Sequence, residues 1–137
     1  WGVQTDVRCL SAHRAHAALA EFVSECNQND TEAIICAAGM AAALPGVVAA
    51  QTVIPVIGVP LSASVLDGMD ALMSIVQMPP SIPVATVSIN GAKNAAWLAL
   101  NIIGNKHSDV REKLIAYRKK LAEDAVKTNE EIIEKYK

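Results

Sequence analysis

The sequence predicts an α/β fold built on a parallel sheet, and three observations point there. Short apolar runs rich in β-branched residues alternate with stretches that carry a helical apolar stripe. The run Pro55-Val56-Ile57-Gly58-Val59-Pro60 is too short and too β-branched for a helix, and reads as a strand buried on both faces. The composition, 52% hydrophobic and 19% charged over 137 residues, suits a single well-buried core. One α/β domain is expected over 1–137, with a core to residue 106 and a C-terminal helix over 107–137.

Each element follows from its local pattern. Val3 to Leu10 is predicted as a strand, with Asp6 and Arg8 marking a wet face or edge. Ala15 to Cys26 carries the stripe Ala18, Leu19, Phe22 and Val23, which predicts a helix. Asn27 to Asp30 is turn chemistry, and Ala33 to Ala37 is a short buried strand ending at Gly39. Leu44 to Ala50 reads as a helix with Pro45 in its first turn, where a missing amide donor costs nothing. After the Pro55–Pro60 strand, Leu66 to Val76 is helical by pattern. Pro79-Pro80 breaks the chain, Val84 to Ile89 makes another buried strand, and Asn94 to Ile103 an Ala-rich helix.

The tail has its own logic. Val110, Leu114, Tyr117, Leu121, Ala125, Thr128 and Ile132 recur at spacings of three and four. Glu123 with Lys127, and Glu131 with Lys135, are spaced to pair on the wet side. A seam this narrow on a protruding helix is expected to dock against a partner.

Composition also excludes functions. The formal charge is -2 with Lys and Glu interleaved, which gives no electrostatic support to nucleic-acid binding. Cys9, Cys26 and Cys36 lack CxxC or metal-like spacing, so buried reduced thiols in a cytosolic protein are expected. Prolines and polar residues interrupt every candidate membrane span. No signal peptide is expected. The chain begins at Trp1 without an initiator Met, and its natural start is expected to lie upstream.

In a doubly wound sheet, ligands bind beyond the carboxyl ends of the strands. The loops expected there are Ser11 to Arg14, Ala38 to Ala43, Pro60 to Ser64 and the segment after Ile89, and together they predict one pocket. Ser11-Ala12-His13-Arg14 is the most informative of them. The imidazole of His13 is the side-chain type suited to a proton carrier, while the guanidinium of Arg14 suits a phosphate. A capping histidine is the competing reading of His13. Ala38 and Gly39 allow a ligand close to the backbone, and the following helix offers amides to an anion. Ser74 and Gln77, with Met78 before a proline break, read either as a helix terminus or as a loop over a flat heterocycle. His16 is expected at the surface and His107 in a solvated linker; no metal constellation exists.

Read together, these motifs resemble one family. SAHR, the segment Ala38-Gly39-Met40-Ala41-Ala42-Ala43-Leu44-Pro45-Gly46, PVIGVP, LMSIVQMP from Leu72 to Pro79, Asn94-Ala95-Ala96 and a Lys/Glu-rich tail with Tyr117 and Arg118 occur in that family's order. The chain resembles the carboxyaminoimidazole ribonucleotide mutases, also called the catalytic subunit of phosphoribosylaminoimidazole carboxylase, across essentially its whole length. The resemblance implies a flavodoxin-like three-layer sandwich, a homo-oligomer (an octamer), a cytoplasmic location, and purine chemistry without metal or organic cofactor. It implies a carboxylate moved from an exocyclic nitrogen to a ring carbon of an aminoimidazole ribonucleotide, by release and recapture of carbon dioxide. His13 matches the proton-shuttling histidine, Arg14 the phosphate-binding arginine and Ser11 a neighbouring ligand contact. Ala38 and Gly39 match the pocket-lining backbone, and Ser74, Gln77 and Met78 the loop over the base.

Three features depart from the family. Its members usually begin with a strand and a Ser/Asp-bearing Gly-rich loop; here Trp1 starts near the second strand. That predicts either a segment upstream or a loosely placed Val3–Leu10, because the family's first strand lies between the second and third. Ala43 stands where a histidine is usual, and Ala15-His16 where Thr-Pro is usual. Two alternatives are direct carboxylation of aminoimidazole ribonucleotide by carbon dioxide, and a non-catalytic homologue that keeps the oligomer scaffold.

Overall fold

The computed structural model describes residues 1–63 and 66–137. Its elements run α1 (His16–Gln28), β1 (Ile34–Gly39), α2 (Leu44–Ala49), β2 (Val56–Leu61), α3 (Met69–Val76), β3 (Ala85–Thr86), α4 (Ala92–Ile103) and α5 (Ser108–Lys135). The strands form one parallel sheet in the order β1-β2-β3. This is the α/β architecture the alternation predicts, with helices on both faces.

The central strand β2 explains the layering. Val56 packs with Cys36 of β1, Leu19 and Val23 of α1, and Val48 and Ala49 of α2. On the opposite face Ile57 and Val59, both 0% exposed, pack with Ala95 of α4 and the partly buried Leu98, Ala99 and Ile102. A strand covered on both sides needs apolar residues at consecutive positions, which is why PVIGVP shows no alternation. Each such side chain contributes about 1.5–3 kcal/mol by leaving water. Gly58 opens the remaining gap. A Cβ there would lie 2.4 Å from Ile75 Cγ2 and 3.0 Å from Val84 Cγ1, so only glycine lets α3 sit this close to the sheet.

Several expectations need correction. Val3–Leu10 is not a strand: it pairs with nothing among the described residues, and Gln4 to Cys9 are all exposed. A strand without a ladder partner leaves its amides to water, and this segment is polar enough to do so. Helix α3 starts at Met69 and not Leu66, because Asp67 (φ 50°) and Gly68 (φ 87°) are left-handed and break the turn. The strand predicted over Val84–Ile89 shrinks to Ala85–Thr86. Its continuation still follows β2, through Val87 N–H to Gly58 O (3.1 Å) and Asn90 N–H to Pro60 O (2.8 Å), but without regular geometry.

In the tail, Val110 and Leu114 are buried, Tyr117 stacks on Trp97 of α4, and α5 beyond Arg118 is exposed. The predicted Glu123–Lys127 and Glu131–Lys135 pairs do not form. Glu123 instead pairs with Lys119 at 3.8 Å and Glu131 with Lys127 at 3.9 Å, four residues in the other direction. Both arrangements are exposed and nearly equal in energy, so spacing alone does not choose between them. Cys26 and Cys36 are buried free thiols as expected, whereas Cys9 is exposed along with its unpaired segment. Burial, reinforced by Cys26 nearby, pushes the Cys36 thiol up to about 12, so it stays protonated and unreactive.

His107 is not a solvated linker residue. Its Nε2 lies 2.8 Å from Glu32 Oε1, which also accepts a 2.8 Å bond from Lys106 Nζ. Hydrogen bonds from Lys106 and then His107 hold the Glu32 carboxyl below the usual carboxylate range. This cluster ties the α4–α5 turn to the segment entering β1, at the amino end of the sheet. No helix among the described residues is long and apolar enough to cross a membrane.

Candidate active site

Parallel pairing sets the frame of the site. Ala38 lies beside Pro60 and Gly39 beside Leu61, so the loops leaving β1 and β2 start side by side at the carboxyl edge. A Cβ on Gly39 would come within 3.1 Å of Ala63 Cβ and 3.4 Å of the Leu61 carbonyl, so the glycine lets the chain leaving β2 pack closely against the end of β1. The predicted Pro60–Ser64 loop is seen to Ala63; Ser64 lies outside the described residues.

Asn90 locks the third loop to the second. It takes a left-handed conformation (φ 58°), donates its amide to Pro60 O and accepts the Ser62 amide on Oδ1 at 3.0 Å. Sequence reasoning marked the segment after Ile89 but missed this residue. The Asn90-Gly91 dipeptide, a turn signal with a side chain able to bond nearby backbone, could have found it.

The SAHR segment is a turn that enters α1. Ser11 O accepts the Ala15 amide at 2.9 Å, and Ser11 Oγ accepts the Arg14 amide at 3.2 Å and Arg14 Nε at 3.5 Å. The serine therefore orients the guanidinium as well as the backbone. Ala12 and Leu10 pack on the same core cluster as Leu44 and Val47 of α2. This packing holds the turn beside the helix that follows β1. His13 and Arg14 are both exposed, and His13 makes no hydrogen bond among the described residues. A histidine free of structural partners is not the capping residue of the competing reading; α1 begins on Ala15 with no side-chain cap.

The last predicted group divides. Met78 is brought to α2, since a Cβ on Gly46 would lie 3.2 Å from Met78 Sδ. Helix α3, which leads to it, packs through Ile75 and Ala71 on Ala38 near the end of β1 and on Ala42 of the loop that follows. Gln77 is the exposed C-cap residue of α3, with its amide bonded to Met73 O. Ser74 is exposed and gives its hydroxyl to the Asp70 carbonyl at 2.8 Å, within its own helix. The structure thus gathers Ala38, Gly39 and Met78 around α2 and sets the SAHR turn on the same core. Among the described residues the Ser74 hydroxyl is bonded only within α3.

Comparison with known proteins completes the description. The family model described as AIR carboxylase matches residues 1–124. A protein named N5-carboxyaminoimidazole ribonucleotide mutase from Pyrococcus abyssi is 53% identical over 116 residues, 85% of this chain and 67% of that protein. One of the same name from Methanocaldococcus jannaschii is 47% identical over 137 residues, 100% of this chain and 85% of that protein. A third, from Saccharolobus solfataricus, is 44% identical over 128 residues, covering 93% and 81%.

Proposed function

Since the chain belongs to the AIR carboxylase family, we propose that it is a purine-biosynthesis isomerase, a mutase acting on N5-carboxyaminoimidazole ribonucleotide. In this reading His13 carries the proton and Arg14 binds the phosphate. The observation that carries it is the SAHR turn: the Ser11 hydroxyl accepts from the Arg14 amide and guanidinium, and the adjacent exposed imidazole makes no hydrogen bond among the described residues.

The chemistry follows from what these groups can do. The exocyclic N–C bond breaks and carbon dioxide leaves; His13 supplies the proton that the nitrogen takes up. The electron-rich ring carbon then attacks the carbon dioxide and forms a C–C bond. Loss of the proton from that carbon to His13 restores the aromatic ring and the histidine, so the net change is an isomerisation. Carbon dioxide is neutral and offers few handles, so rate depends on confinement and exclusion of water. The apolar Ala38-Gly39 corner, and Met78 over α2, are suited to that. Ser11 assists at the ribonucleotide, and Gln77 and Met78 form the loop over the base, with Ser74 in the helix α3 that leads to it. The same reading expects an octamer working in the cytoplasm.

Turnover of the N5-carboxylated ribonucleotide by wild type and Arg14→Ala tests the assignment. Loss of a charge-assisted phosphate contact costs about 1.5–3 kcal/mol of binding, which raises KM roughly 10- to 150-fold, while kcat is largely kept. No turnover by the wild type, or an unchanged KM in the variant, contradicts the reading.

A further inference from the structure

Helix α2 carries a glycine, Gly46, in its first turn. Its backbone does not require one. Gly46 is not among the left-handed residues, and its carbonyl accepts the Ala50 amide at 3.1 Å as in any helix. Glycine is among the poorest helix formers, so alanine would suit this backbone better. Space explains the residue instead. A Cβ on Gly46 would lie 3.2 Å from Met78 Sδ and 3.5 Å from Met78 Cε, and beyond its own stretch of helix the described residues offer it nothing else within 4 Å.

Only one side of this contact can give way. Pro45 is fully buried, with its Cβ 3.4 Å from where a Gly58 side chain would begin, and Val48 and Ala49 are buried as well. Helix α2 is therefore seated on the sheet and cannot retreat. Met78 is half-buried, and its thioether turns about several rotatable bonds. A methyl on Gly46 would move the thioether and leave the helix in place. Gly58 is different, because a methyl there would strike Ile75, which is 0% exposed. The Met78 seat also adjoins the site. Ala42, two residues before α2, packs with Ala38, Ala71 and Ile75, the last of these on the helix that leads to Met78.

We propose that Gly46 is a positioning residue: its bare backbone lets the Met78 thioether lie across the first turn of α2 and close the apolar corner that retains carbon dioxide. The inference rests on the catalytic reading above and names the residue that makes its site retentive. Carbon dioxide that escapes leaves the aminoimidazole ribonucleotide behind, its exocyclic nitrogen carrying the proton supplied by His13. Gly46 acts on this step through Met78.

Gly46→Ala, Met78→Ala and the double variant test it with two readouts. In protein with isotopically labelled methionine methyl groups, the Met78 signal is expected to shift in Gly46→Ala while those of Met40, Met69 and Met73 stay. The melting temperature should equal or exceed that of the wild type, since alanine favours the helix. In turnover of carboxylate-labelled ribonucleotide with unlabelled bicarbonate, kcat of Gly46→Ala should fall roughly tenfold, within the loss that misplacement near reacting atoms can cause. Most of the label should then be missing from its product. Met78→Ala should leak in the same way, and adding Gly46→Ala to it should change label retention no further. An unmoved Met78 signal, wild-type label retention in Gly46→Ala, or a further loss in the double variant overturns the inference. A wild type that forms no product instead defeats the catalytic reading and the retention claim with it, while the methyl signal still supports or refutes the seating of Met78.

Discussion

His13→Asn is expected to lower kcat by about 10²- to 10⁴-fold, the usual contribution of a positioned acid/base group, and to leave folding untouched. The second half of that expectation comes directly from the structure. His13 is exposed, accepts and donates no hydrogen bond among the described residues, and precedes a helix that starts without its help. Asparagine keeps polarity and approximate reach but does not titrate near neutral pH. A thermal melt that overlays the wild type, beside a collapse in turnover, separates loss of chemistry from loss of structure. Near-normal kcat would remove His13 from the proposed proton path.

Gly58→Ala is expected to produce the largest structural effect of a one-methyl change. The new Cβ would enter at 2.4 Å from Ile75 Cγ2, 3.0 Å from Val84 Cγ1 and 3.4 Å from Pro45 Cβ. None of these is the free end of a flexible side chain: Ile75 is 0% exposed and Pro45 is fully buried. Overpacking of this kind costs about 1–3 kcal/mol, seen as a lower unfolding midpoint in heat or denaturant. It should also loosen α3, whose far end presents Gln77 and Met78. Ile75→Ala alone costs about 2–5 kcal/mol by leaving a cavity. Because it removes the colliding methyl, the double variant should be less destabilised than the two single effects together. A Gly58→Ala protein that unfolds with the wild type would show that α3 is not seated as described.

What was legible in the sequence follows physical lines. PVIGVP was readable because a strand buried on both faces admits only apolar residues, and Ile57 and Val59 indeed face one core while Val56 faces another. Pro45 marked the start of α2 because proline fits a first turn at no cost. Strand length was less legible. Val84–Ile89 has the composition of a full strand, but only Ala85 and Thr86 meet β2 in register, and a neighbouring edge is a tertiary fact. Val3–Leu10 failed for the same reason, lacking any ladder partner among the described residues.

The site shows the same division. SAHR, Ala38-Gly39 and SIVQMP were visible as chemistry and as a family pattern. The anchoring of Arg14 by Ser11 Oγ, the Asn90–Ser62 tie and the diversion of Ser74 to Asp70 O depend on side-chain direction, which spacing does not specify. Glu32 and His107 were illegible as a pair because they lie 75 residues apart and meet only once α4 and α5 are packed.

The central claim is that one carboxylate travels from nitrogen to ring carbon inside a confined site. Turnover of the ribonucleotide isotopically labelled at that carboxylate, run in excess unlabelled bicarbonate, tests it most directly. Most of the label should appear on the ring carbon of the product. A product carrying the unlabelled carbon of the solvent would contradict the account.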